Sequence, residues 1–233
     1  MESFGDVVYK SNIGDGPGIR TTKDFLEKMT KNLLLNSKEY CDITEELPLC
    51  FKEKQLLPLL GSAIQKTTPA FMGEVPITRS SIFKKSKSSP GFVDFWATYR
   101  NTSFFIEVKH SFFSYFSQEI NSHSIKKWET AITQLKTSAK ALREGWNISQ
   151  QAMLISLMVM PFYISESAVK KQKRELSPKN IDQCSASILN ALVPDWYSTC
   201  YLNGKYSGPY KYLKSSEYHP AIGVYAKIIK CTE

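Results

Sequence analysis

The chain has 233 residues, enough for one well-buried domain with some appended structure and too few for two large ones. Thirty Lys and Arg against 22 Asp and Glu leave a net charge of +8, a surplus that suits a polyanionic partner. Hydrophobic residues make up 42%, and the longest apolar run, Ala152 to Ile164, is broken by Ser156 and Pro161, so it reads as buried strand and not as a membrane span.

The first residues, Met1-Glu2-Ser3-Phe4-Gly5-Asp6, lack a basic start and an apolar core, so a cytoplasmic protein is expected. Cys41, Cys50, Cys184, Cys200 and Cys231 are odd in number, scattered, and include no Cys-x-x-Cys pair. That speaks against a zinc ribbon or disulfide framework and for free thiols in a reducing compartment. His110, His123 and His219 lack metal-ligand spacing.

In chain order, Gly14-Asp15-Gly16-Pro17-Gly18 reads as a surface loop, because no Gly-Lys-Ser/Thr follows it. A helical pattern comes next, near Thr22 to Leu35. From Thr44 to Gln65, Leu49, Leu56, Leu57, Leu60 and Ile64 predict a second helix with Thr44 as N-cap. Pro48 suits its first turn, and Pro58 implies a kink or two shorter helices. A strand is expected from Phe71 to Thr78. The polar, basic stretch between Arg79 and Pro90 reads as a loop that brings Lys84, Lys85 and Lys87 toward the strand after it.

Gly91 to Ala97 and Ser103 to His110 then form two strands around a hairpin tip at Arg100-Asn101-Thr102. Both runs are mainly apolar and aromatic, yet they carry Asp94, Glu107 and Lys109. Residues at i and i+2 of a strand share a face, so Glu107 and Lys109 project together toward whatever Asp94 faces. Burying two carboxylates together is costly unless a cation joins them, and a divalent metal is the expected cation. Ser124 to Glu144 shows apolar residues at helical spacing, ends at Gly145, and carries Lys126, Lys127 and Gln134. This helix connects to the strand Ala152 to Ile164, a crossover that predicts a parallel neighbour. A helix at Ile181 to Leu192 and a final strand at Ala221 to Ile229 are expected beyond it. The tyrosine-rich stretch between them reads as hairpin sequence in preference to a base-stacking surface.

Asp94 followed by Glu107-Val108-Lys109 resembles the PD-(D/E)xK signature of the restriction-endonuclease-like nuclease superfamily. Glu107 is the only acid in the chain followed two positions later by lysine. The resemblance covers residues 44–165 and implies an α/β fold: a restriction-endonuclease-like core with a mixed central sheet flanked by helices in the order αβββαβ. Residues 1–43 would be an N-terminal extension, and 166–233 a C-terminal helix and strand extension packed on the core. The resemblance further implies that Asp94 and Glu107, with the backbone carbonyl of Val108, hold Mg2+, for which Mn2+ can substitute. Lys109 would position or activate the attacking water and steady the phosphate. A helix before the catalytic strands commonly supplies a further glutamate, here Glu53, with Glu45, Glu46 and Glu74 as competitors. Gln134 resembles the glutamine found on the following helix, although the tyrosine that accompanies it in some branches is missing at the expected spacing.

The expected activity is therefore that of a magnesium-dependent deoxyribonuclease, an endonuclease with a restriction or antiviral-defence role. DNA would dock against Lys84, Lys85, Lys87, Lys126 and Lys127, and a homodimer or a separate ATPase or regulatory protein would be the protein partner. The alternative is a catalytically idle subunit that binds nucleic acid or protein through its basic face. The sequence leaves DNA versus RNA and endo versus exo cutting open.

Overall fold

Apolar spacing of three and four along residues 25–33 buries Phe25, Leu26, Met29 and Leu33 on one side of helix α1 (Ile19–Thr44). The computed structural model describes residues 3–79, 89–116, 119–145, 151–168, 178–212 and 215–231. Helix α1 stops where Glu45 takes a left-handed conformation, φ 60°, and donates its N–H to the Cys41 carbonyl. Thr44 therefore ends one helix instead of capping the next, and its hydroxyl donates back to the Tyr40 carbonyl. The helix expected from Thr44 divides accordingly. Pro48–Cys50 form a 3-10 turn, and helix α2 (Glu53–Thr67) follows from the extended residue Lys52. Leu56, Leu60, Ala63 and Ile64 of α2 are fully buried, each leucine or isoleucine contributing about 1.5–3 kcal/mol relative to exposure.

Strands β1 (Gly5–Ser11), β2 (Phe71–Arg79), β3 (Ser89–Tyr99), β4 (Thr102–His110), β5 (Phe113–Ser114) and β6 (Ala152–Ser165) precede β7 (Trp196–Leu202), β8 (Tyr210–Tyr212), β9 (Ser215–Tyr218) and β10 (Ala221–Lys230). Helices α3 (Ser122–Gly145) and α4 (Pro178–Leu192) flank β6 in sequence. The main sheet runs β1-β7-β10-β6-β4-β3-β2. It is mixed: β4 and β6 are parallel, as the α3 crossover requires, whereas β2–β3, β3–β4, β6–β10, β7–β10 and β1–β7 are antiparallel. The order α2-β2-β3-β4-α3-β6 matches the helix and strand sequence expected for residues 44–165, with the two-residue β5 inserted. Strand β1 and helix α1 are built into this structure, β1 as an edge of the sheet and α1 in its largest core.

Helices α1 and α2 cover one face, packing against Phe104, Ile106 and Val108 of β4 and Ile155 and Leu157 of β6. Phe25 stacks on Phe104 with ring centroids 4.3 Å apart. Helices α3 and α4 cover the other face through Trp128, Ile181 and Ile188 against Met158, Met160 and Tyr225, and through Leu135 and Leu142 against Phe105. The tyrosine-rich segment populates β7 and the β8–β9 hairpin, with Trp196 and Tyr206 buried. Among the described residues no helix is long and apolar enough to cross a membrane.

Candidate active site

The ladder between β3 and β4 runs from Tyr99 and Thr102 to Phe95 and Ile106, and no backbone pair continues it beyond that point. Two amides on the opened edge of β4 are taken up by carboxylates instead of by β3. Val108 N donates to Asp94 Oδ2 at 2.6 Å, and His110 N donates to Glu53 Oε2 at 3.1 Å. Buried amides demand partners, so the parting of the strands and the acids that fill the gap are one feature. The N–H and C=O of one strand residue point to the same neighbour, so the Val108 carbonyl also faces this opening.

Asp94 reaches that position because β3 loses its alternation there. Val93 packs in the α3-side core with Phe105, whereas Phe95, two residues on, packs under α1 and α2. The same break occurs opposite, where Glu74 of β2 has φ 51° and the register skips the Glu74/Asp94 level between Gly73–Phe95 and Val75–Val93. A positive φ at a glutamate is unfavourable, and the distortion is local to this point of the sheet.

Glu107 and Lys109 form the second half of the site. The Lys109 ammonium lies 2.9 Å from Glu107 Oε1 and 3.8 Å from Glu53 Oε1. Their side chains are only 15% and 6% exposed for Lys109 and Glu107, so the pair is largely shielded from water. Burial alone would lower the Lys109 pKa, but Glu107 first, then Glu53 and Asp94, outweigh it and raise the value above 10.5. Glu107 and Glu53 thus meet one ammonium, and the charge of Asp94 acts on it as well. Glu53 stands in the first turn of α2, where the helix dipole favours a negative charge.

His110 anchors the strand end beneath these groups. Its Nε2 lies 2.9 Å from the Leu49 carbonyl, and its own carbonyl accepts from Lys127 Nζ at 2.8 Å. Burial first, with the nearby Lys127 charge, lowers the His110 pKa below 6.5 against the opposing pull of the Leu49 carbonyl and Glu53. One residue therefore ties the 3-10 turn, α2 and α3 to the strand that carries Glu107 and Lys109. Metal-ligand spacing, by which the histidines were judged in the sequence, does not register such a role; a polar residue closing an apolar strand is the signal that would have.

Lys127 is half-buried and committed to the His110 carbonyl, whereas Lys126 beside it is exposed. Lys84, Lys85 and Lys87 lie outside the described residues. Gln134 is two turns along α3 from Lys127, about 10 Å. Its amide oxygen is buried without a hydrogen-bond partner among the described residues. Ser156, opposite Glu107 in the β4–β6 register, has a buried hydroxyl in the same condition, a feature the sequence reading did not anticipate. Of the competing acids, Glu74 flanks Asp94 across the sheet, while Glu45 and Glu46 lie beyond the end of α1.

The donor set suits a hard divalent cation. Asp94, Glu107 and the Val108 carbonyl present oxygen ligands at the strand opening, and the Lys109 ammonium already holds a positive charge among the carboxylates. Two carboxylates and a carbonyl are a sparse protein cage, of the kind that leaves positions for water and substrate oxygens. Among the described residues no three His, Cys, Asp or Glu side chains are grouped to hold a metal ion by themselves. The chain matches no family model, no curated protein and no solved structure.

Proposed function

We propose that this protein is a metal-dependent nuclease that hydrolyses phosphodiester bonds of DNA, built on a restriction-endonuclease-like core. The observation that carries the reading is the gathering of Asp94 at the Val108 amide and of Glu107 and Glu53 at Lys109 where β3 and β4 part. Asp94, Glu107 and the Val108 carbonyl would hold magnesium, with manganese as a substitute. A metal bound there acidifies its water and neutralises charge on a phosphate.

The chain's own groups have separable tasks. The Val108 amide orients Asp94, and the Lys109 ammonium orients Glu107. The Lys109 ammonium, which already donates to Glu107 at the strand opening, serves as a donor to a non-bridging phosphate oxygen. Glu53, through the His110 amide, fixes α2 against the strand end and holds Lys109 from the other side. The exposed Lys126 and the basic surplus of the chain supply contacts to the backbone of the nucleic acid.

A second reading, a catalytically idle subunit that binds nucleic acid or a partner, is favoured by the Glu107–Lys109 ion pair, which is complete without a metal. Purified protein incubated with supercoiled plasmid separates the two. Nicking or linearisation in magnesium, abolished by a chelator and by Asp94→Asn or Glu107→Gln, is expected of the nuclease. Unchanged plasmid under all conditions, or cleavage that survives both substitutions, refutes the assignment.

A further inference from the structure

An open groove of about 760 Å³ runs between α2 and the β2–β3 edge, and Asp94 is part of its wall. Pro58 and Leu57 of α2 and the rings of Phe71 and Phe95 give it apolar sides, and Lys54 stands at its rim. Two glycines stand in its wall. A Cβ at Gly61 would meet the Phe95 ring at 3.3 Å, and one at Gly73 would lie 3.7 Å from the same ring, so both backbones pack against the ring that borders the groove. Glycine within a strand commonly marks a place where a ligand approaches closely. The strained Glu74 forms another part of the wall, beside Gly73 and across from Asp94.

The charge of the groove narrows its occupant. Two carboxylates, Asp94 and Glu74, against the single ammonium of Lys54 make a poor seat for phosphate. A flat, neutral group with polar edges suits it better. Aromatic and apolar surfaces stack with the faces of nucleobases, and Ser62 and Gln65 add polar groups along the α2 side.

We infer that this groove takes the base of an unpaired nucleotide next to the scissile phosphate, so that the substrate is nucleic acid with a single-stranded or displaced stretch at the cut and not continuous duplex. The inference rests on the nuclease reading for the identity of Asp94's partner, since the phosphate held at Asp94 brings the adjoining base to the groove that Asp94 lines. A base inside an intact duplex is stacked on both sides and has to be taken out of the stack to enter.

The test compares binding of continuous duplex DNA and of the same sequence carrying an unpaired stretch, with calcium replacing magnesium. A fluorescent adenine analogue is moved base by base through that stretch. Wild-type protein is expected to bind the unpaired substrate roughly tenfold more tightly, the factor that one stacked base contributes, and to quench the analogue at one position beside the cut. Gly73→Leu, which projects a branched side chain into the groove beside the Phe95 ring, should remove both the preference and the quench, whereas Gly73→Ala, whose methyl makes only ordinary contacts, should keep most of each. Equal affinity for the two substrates, or a quench that Gly73→Leu leaves intact, overturns the inference. Should Gly73→Leu fail to fold, the position scan in wild type decides: quenching confined to one base supports the groove, and uniform or absent quenching overturns it. Cleavage intact without any preference for unpaired DNA sinks the groove alone. A base-selective quench with no cleavage in magnesium sinks the nuclease reading and leaves the groove standing.

Discussion

Replacing Lys109 by methionine keeps the length of the side chain and removes the cation that pairs with Glu107 and Glu53. Glu107, whose side chain is 6% exposed, is left in the company of Asp94 and Glu53 with no ammonium. Breaking a buried ion pair from one side costs about 3–5 kcal/mol. Glu53, at 36% exposure, opens the cluster to water and places the value near the lower end, about 3 kcal/mol. For a chain of this size each kcal/mol moves the melting temperature by roughly 2–4 °C, so a drop of about 6–12 °C is expected in a chelator. Magnesium should restore much of it, because a cation at one hundred times its Kd contributes about 2.7 kcal/mol to the state that binds it. The gap between wild type and variant should persist up to about pH 10.5 and close above that. The Lys109 pKa is raised in the fold, so its stabilisation is complete below the unfolded value of 10.5 and is lost as pH rises through the higher folded value. Thermal melts of both proteins in chelator and in magnesium provide the measurement. A variant that melts within a degree or two of wild type in chelator, or one whose loss magnesium does not reduce, would refute the picture of a carboxylate cluster that the Lys109 ammonium holds together and a metal can join.

Glu53→Gln retains an acceptor for the His110 amide but removes the charge facing Lys109; folding should be kept and the cleavage rate reduced roughly tenfold or more, with equal rates in plasmid assays as the contrary result. Lys126→Ala should make the log-log dependence of DNA binding on salt shallower by about 0.9, the share of one phosphate contact, while Lys127→Ala should chiefly lower stability, by about 1 kcal/mol, by freeing the His110 carbonyl. His219 is buried and its pKa is pushed down to about 4, burial outweighing the pull of the Phe162 carbonyl. The unfolded chain protonates it near 6.5, so stability should fall as pH drops from 6.5 toward 4, by roughly 3 kcal/mol at about 1.4 kcal/mol per unit. Glu217, 3.9 Å from His219 and with its own pKa raised by burial, works in the opposite direction. Denaturant melts across this range should show a flatter slope for His219→Gln, and an unchanged slope would assign the acid sensitivity elsewhere.

The sequence by itself determined the elements whose signal is local. Alternating and continuous apolar runs marked β3, β4 and β6, the three-and-four spacing marked α3, and the crossover rule made β4 and β6 parallel neighbours. It also singled out Asp94, Glu107 and Lys109, because charges inside apolar strands are conspicuous without any knowledge of what lies opposite them. The strand parting that gives Asp94 its position was not legible. It depends on Glu74 and Asp94 losing alternation together on adjacent strands, a property of the pair and of neither strand alone. The start of α2 was misplaced because a left-handed Glu45 divides what reads as one helical pattern. Glu53 therefore arrived at the site through the packing of α2 against the end of β4, where its carboxylate meets the His110 amide. Tertiary structure likewise decided the fate of His110, Lys127 and Ser156, and opened the groove between Gly61 and Gly73. Each depends on which buried polar group or missing side chain ends up facing which neighbour, and hydrophobic periodicity along one segment carries no information about the segment across from it.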